Sequence, residues 1–168
     1  MNNTNQMIGA FKTLMDSDDY PIAKSVASDV MADLMRNPPP AGWDEEKRGI
    51  YSDVQQMIMN RPDYADMFKI MDGLEYNGLT LYGLTQAENG ELAWSNIYIR
   101  NVETRDNEIY VDPNLTDKLV IGEDGMSVFV FSPKDNCFQI RDKASTDYVI
   151  EEHETFSDLL AALIDTVK

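Results

Sequence analysis

Apolar residues recur at helical spacing through roughly the first seventy positions and at strand spacing through much of the remainder. Asn3 or Thr4 is placed to cap a helix that aligns Met7, Ile8, Phe11, Leu14 and Met15. "MDSDDYP" breaks that pattern, and Pro21 suits the start of a second helix carrying Ile22, Val26, Val30 or Met31, and Leu34. Three prolines in "NPPPAGW" stop it. Asp44 caps a third segment with Ile50, Val54, Met57 and Ile58 as its stripe. Asp63 then caps a short helix through Met71, presenting Tyr64, Met67, Phe68 and Met71.

After Gly73 the period changes. "GLTLYGL" has strand composition, "SNIYIRNVE" alternates Ile97 and Ile99 with Tyr98 and Arg100, and "NEIYVD" reads as a further extended piece. The clearest signal is "DKLVIGEDGMSVFVFSPKDNCFQIRD". It predicts strands over Leu119 to Ile121, Met126 to Phe131 and Cys137 to Arg141, with Gly122 to Gly125 as a turn whose Asp-Gly pair supplies positive φ angles. "TDYVIEE" predicts an edge strand, and Thr155 or Ser157 caps a last helix with Leu159, Leu160, Leu163, Ile164 and Val167. Helices, then an antiparallel meander, then a C-terminal helix packed on the sheet define an α+β fold.

The joint between the two textures is "KIMDGLEYNGLTLYGL", Lys69 to Leu84. Gly73 fits a left-handed helix end, with Leu74 free to pack back, and Asn77-Gly78 can turn the chain into the first strand. Glu75 and Tyr76 lie between the two glycines and are expected to project from the joint.

At 168 residues the chain fits one globule. No apolar run nears the roughly 18 residues of a membrane span, and the N-terminus lacks the basic start and apolar block of a signal peptide. A single cysteine, Cys137, points to a reducing cytoplasm. Charge alters the picture most. Thirty acidic residues against fourteen basic ones give a net charge of −16. The acid falls mainly after residue 72, where 18 acidic and 7 basic residues give −11. Such a surface repels nucleic acid and attracts a basic protein.

Candidate chemistry is sparse. His153 is the one histidine and lacks partners for a zinc set, so it reads as a loop or capping residue. Cys137 sits in an alternating strand and reads as a small buried residue. "DSDDY" and "DPNLTD" gather carboxylates without the spacing of a calcium loop. No glycine-rich phosphate cradle occurs, and the methionines fall on helix faces as core filling. No catalytic residue, metal ligand or cofactor-binding residue is assigned. Tyr76, Tyr82, Trp94, Tyr98 and Tyr110 are interleaved with Glu75, Glu91, Glu103, Asp106, Glu108 and Asp112. Either these aromatics share one sheet face as an anionic binding surface, or half of them face the core. The candidate partner-binding residues are Glu75, Tyr76, Glu103, Asp106, Glu108, Tyr110 and Asp112.

Three stretches resemble the SUKH superfamily and, within it, the YrhA-like branch: "RPDYADMFKIMDGLEYNGLTLYGL", "DKLVIGEDGMSVFVFSPKDNCFQIRD" and "HETFSDLLAALI". The first is similar to a short helix ending in glycine, then "NGL" and a strand. The second is similar to an apolar strand, a glycine-acid turn, an aromatic strand and a polar hairpin. The third is similar to a closing phenylalanine and a capped helix. On this reading residues 61–168 form the SUKH-like α+β domain and residues 1–60 a helical preface within the same globule. The resemblance implies a bacterial immunity protein, not an enzyme, that neutralises a polymorphic or contact-delivered toxin, often a nuclease. It transfers no toxin-contacting residue. An acidic domain poor in catalytic groups suits a stoichiometric inhibitor of a basic toxin. An interaction module with an unrelated partner fits equally well, and a carboxylate- or metal-dependent hydrolase is the third class. An exposed antiparallel edge also permits a homodimer.

Overall fold

The computed structural model describes residues 3–85, 96–105 and 111–168. Its elements run α1 (Thr4–Ser17), α2 (Ser28–Arg36), α3 (Glu45–Asn60), α4 (Pro62–Phe68), β1 (Leu74–Tyr76), β2 (Leu79–Leu81), α5 (Ile97–Arg105), β3 (Leu119–Glu123), β4 (Ser127–Ser132), β5 (Cys137–Asp142), β6 (Val149–His153) and α6 (Phe156–Val167). The strands form one antiparallel sheet in sequence order, β1 to β6. The fold is α+β, with α6 packed on the sheet at β5 and β6.

Three helices begin where a cap and an apolar stripe coincide. The side chains of Asn3, Asp44 and Thr155 accept the backbone N–H of Gln6, Lys47 and Asp158, respectively. Behind those caps, Ile8, Phe11 and Met15 of α1, Ile50, Val54, Met57 and Ile58 of α3, and Leu159, Leu160, Leu163 and Ile164 of α6 are buried. They join Phe129, Phe131 and Phe138 of the sheet in one continuous core. The rings of Phe138 and Phe156 are 5.4 Å apart, and that of Tyr64 lies 5.0 Å from Phe156.

Pro21 does not open a helix. The chain from Pro21 to Ala27 stays out of helix because its backbone is used elsewhere. Val26 N–H donates to the Phe68 carbonyl at 2.8 Å, and the Lys24 carbonyl accepts Asp72 N–H at 2.9 Å. Helix α2 starts only at Ser28. Asp63 likewise does not cap α4, since Pro62 already occupies its first turn. The Asp63 carboxylate instead accepts Phe156 N–H at 2.8 Å and a two-pronged bond from Arg61 at 2.9 and 3.2 Å. Arg61 continues to the Glu154 carbonyl at 2.7 Å, with its guanidinium 4.9 Å over the Phe138 ring. Two residues thus fasten the start of α4 to the start of α6.

The joint at Gly73 is real but is more than a change of direction. Gly73 has φ +80°, and a Cβ there would lie 2.6 Å from the Leu81 carbonyl oxygen. The Asp72 carboxylate accepts Leu84 N–H at 2.7 Å and also binds the Thr85 hydroxyl. Asn77 and Gly78, both at positive φ, close a two-residue hairpin between β1 and β2. Glu75 and Tyr76 therefore belong to a strand, in which Leu74 and Tyr76 are buried and Glu75 is exposed.

Two further expectations are corrected. "SNIYIRNVE" forms helix α5, not a strand, because its buried residues are Ile97, Tyr98 and Asn101. Asn101 is fully buried, and its amide bonds both the N–H and the carbonyl of Val120 at 2.9 Å. Helix α5 thereby covers β3 where pairing with β2 has ended. In the turn after β3, neither Asp124 nor Gly125 adopts positive φ. Strand β3 runs on through Glu123, and the Asp124 carboxylate closes the turn by accepting Met126 and Ser127 N–H at 2.9 and 2.7 Å. The extended piece expected at "NEIYVD" lies outside the described residues from position 107 to 110, and Val111 and Asp112 are not in a strand.

Candidate interaction surface

The register of the sheet separates two faces. Leu74, Leu81, Phe129 and Ile140 lie in one cross-strand row on the core face. Glu75, Thr80, Glu123, Val128, Arg141 and Val149 lie in a row on the other. Here Glu123 lies 3.4 Å from Lys143 and 3.9 Å from Arg100, and Arg100 also pairs with Glu103 at 3.2 Å. Arg141 is buried on this face, donating to the Gln139 side chain and to the Thr146 carbonyl.

The anticipated binding residues do not assemble as one patch. Glu75 is exposed, but Tyr76 is only 2 % exposed, which corrects its expected projection. Strand alternation turns Tyr76 inward. Its ring meets that of Tyr20 at 4.8 Å, and its hydroxyl donates to Asp18. Glu103 is exposed and spent on Arg100. Asp112 is half-buried and structural, accepting Asn114 N–H at 2.9 Å and the Thr146 hydroxyl at 2.7 Å. Asp106, Glu108 and Tyr110 lie outside the described residues, as do Glu91 and Trp94. Tyr82 and Tyr98 are core residues, and burial pushes both phenols far above their ordinary range. Tyr98 sits 5.2 Å from Trp43 and 6.0 Å from Tyr51. Of the two placements open to the aromatics, these three take the inward one.

Exposed apolar side chains beside acid occur instead at the opposite margin. Tyr148 is 62 % exposed, Ile150 47 % and Met126, at the β3–β4 turn, 80 %. Asp147, Glu151, Glu152 and Glu154, all exposed, flank Tyr148 and Ile150 in the chain, while Met126 lies beside Lys143, whose N–H its carbonyl accepts at 2.9 Å. Between Ala144 and Ile164 the chain has five acidic residues and no lysine or arginine. Among the described residues no lysine or arginine pairs with the carboxylate of Asp147, Glu151, Glu152 or Glu154; Arg61 reaches the Glu154 backbone carbonyl at 2.7 Å, and the other contacts are neutral donors and His153, 3.9 Å from Glu151. The charge here is therefore uncompensated, unlike that at Glu123. The sequence signal was available: consecutive acids inside a strand suit only an exposed edge.

Two side chains with catalytic potential, Cys137 and His153, are placed by the structure. Cys137 is buried in β5, and burial, followed by Glu152 and Asp135, pushes its thiol up, away from the reactive thiolate. His153 closes β6 with its Nε2 buried. Among the described residues no group of three or more histidine, cysteine or acidic side chains could hold a metal ion. No helix among them is long and apolar enough to cross a membrane.

The chain is similar to YrhA, an uncharacterized protein of Escherichia coli (strain K12), at 26 % identity over 131 residues, spanning 78 % of this chain and 93 % of that one. No family profile matches the chain. No solved structure matches it.

Proposed function

We propose that this chain is a SUKH-type immunity protein that binds a cognate bacterial toxin in the cytoplasm and neutralises it by stoichiometric occlusion. The observation that carries this reading is the net charge of −16, with exposed carboxylates around β6 that pair with no lysine or arginine among the described residues. Such a surface speeds encounter with a basic partner and selects against acidic ones. The partner is a polymorphic or contact-delivered toxin domain, with a nuclease the foremost candidate, because a protein that grips phosphate backbones carries the complementary charge. The sequence resemblance and the α+β fold support the same reading.

Co-expression tests it. The toxin domain is taken from a neighbouring open reading frame for a large secreted protein with a variable C-terminal domain. Cells carrying both proteins survive, and the purified pair co-elutes at one to one. Death of the cells together with no association overturns the proposal. Association with an unrelated basic protein and none with the toxin favours a general interaction module of the same fold.

A further inference from the structure

Strand β6 ends the sheet, and its outer edge meets no other strand among the described residues. An open edge offers backbone N–H and C=O groups to an incoming extended segment. Three observations define what can arrive.

The first is charge. Glu151 pairs across to Ile140 and Glu152 to Gln139, so the two carboxylates project from opposite faces of the same edge. Glu152 accepts Gln139 Nε2 at 3.1 Å, a neutral donor that leaves its charge in place. The second is the pair of exposed apolar side chains, Tyr148 and Ile150, which offer contact area to a partner's apolar residues. The third concerns a second copy of this chain. Two β6 edges placed side by side would set carboxylate against carboxylate at cross-strand distance, where like charges repel. The features that oppose self-pairing favour a basic strand.

We propose that the β6 edge accepts an extended, lysine- or arginine-rich segment of a partner protein as a seventh strand. Adjacent residues of a strand point to opposite faces, so two consecutive basic residues can meet Glu151 and Glu152, one on each side of the sheet. The inference rests on the neutralisation reading, in which the partner is basic, and specifies the part of the partner that is held.

The probe is a nine-residue peptide with a central Lys-Lys pair between valines and threonines. It is titrated into the full isotope-labelled chain. Amide shifts and slowed hydrogen exchange centre on residues 148–153. Glu151→Lys with Glu152→Lys weakens binding by about tenfold or more. Asp29→Lys with Asp33→Lys on α2 makes the same change in net charge and leaves affinity within about twofold. Circular dichroism verifies that both double variants fold. Shifts mapping to another surface, or equal losses in the two double variants, overturn the seventh-strand assignment. Protection of toxin-bearing cells by the unaltered chain is scored separately, so failure of the edge is distinguishable from failure of the neutralisation reading.

Discussion

Asn101 on α5 serves Val120 on β3 as a neighbouring strand would. Its carboxamide oxygen accepts Val120 N–H and its nitrogen donates to the Val120 carbonyl, each at 2.9 Å. One side chain completes a sheet edge inside the core. Asn101→Leu leaves both backbone groups buried without partners, and each such group costs about 1–3 kcal/mol. The expected loss is about 2–6 kcal/mol in urea unfolding. Asn101→Asp keeps the acceptor but removes the donor and buries charge, so it does not rescue.

The two positive-φ glycines of the joint separate steric cost from conformational cost. At Gly73 an added Cβ meets the Leu81 carbonyl oxygen at 2.6 Å, whereas at Gly78 nothing lies within 4 Å. Gly78→Ala should cost about 1 kcal/mol, the left-handed penalty alone. Gly73→Ala should cost at least about 3 kcal/mol, since backbone must also move. Thermal melts of the two variants give the comparison directly.

Asp63 ties stability to acid pH. Burial alone would raise its pKa, but the Arg61 hydrogen bond, the Phe156 N–H, the Arg61 charge and the Tyr64 N–H together hold it below the usual carboxylate range. A carboxyl lowered in the folded state contributes stability that is fully present above its unfolded pKa of about 4. That contribution fades as pH falls from there through the lower folded value. Asp63→Asn is expected to lose about 1–3 kcal/mol at neutral pH. Its stability should then decline less steeply than that of the parent between about pH 4 and pH 2. Parallel slopes would remove Asp63 from the acid transition.

Cys137 is 4 % exposed with its thiol pushed up. In the native state it should react with a disulfide reagent at least about a hundredfold more slowly than in denaturant. Rapid native labelling would contradict its burial.

Charge steering has a kinetic signature. If the proposed basic toxin domain is the partner, its association should slow by about tenfold or more between low and physiological salt, with dissociation nearly unchanged. A salt-independent association rate would remove steering from the account.

What could be read from sequence follows from where each element gets its identity. Helices α1, α3 and α6 carry both cap and stripe locally, so Asn3, Asp44 and Thr155 announce them. The β3–β4 and β4–β5 hairpins likewise carry their turns within a few residues. Helix α5 does not. Ile97 and Ile99 alternate with polar and aromatic neighbours, and the deciding interaction is Asn101 with Val120, nineteen residues away. The inward placement of Tyr76 is hidden for a similar reason, since its companions Asp18 and Tyr20 belong to a different segment. At β6 both the strand and its edge position are legible in "TDYVIEE", and the exposure of Tyr148 and Ile150 follows from that position.

The bond from Phe156 N–H to Asp63 spans 93 residues, whereas each strand of the sheet pairs with its neighbour in the chain. These two ranges imply an order of assembly during synthesis. The meander can pair as it emerges from the ribosome, but α1 and α4 have no α6 to pack against until α6 has followed. Until then Phe138, Phe11 and Tyr64 lack part of their cover, so the core closes only when the last helix arrives.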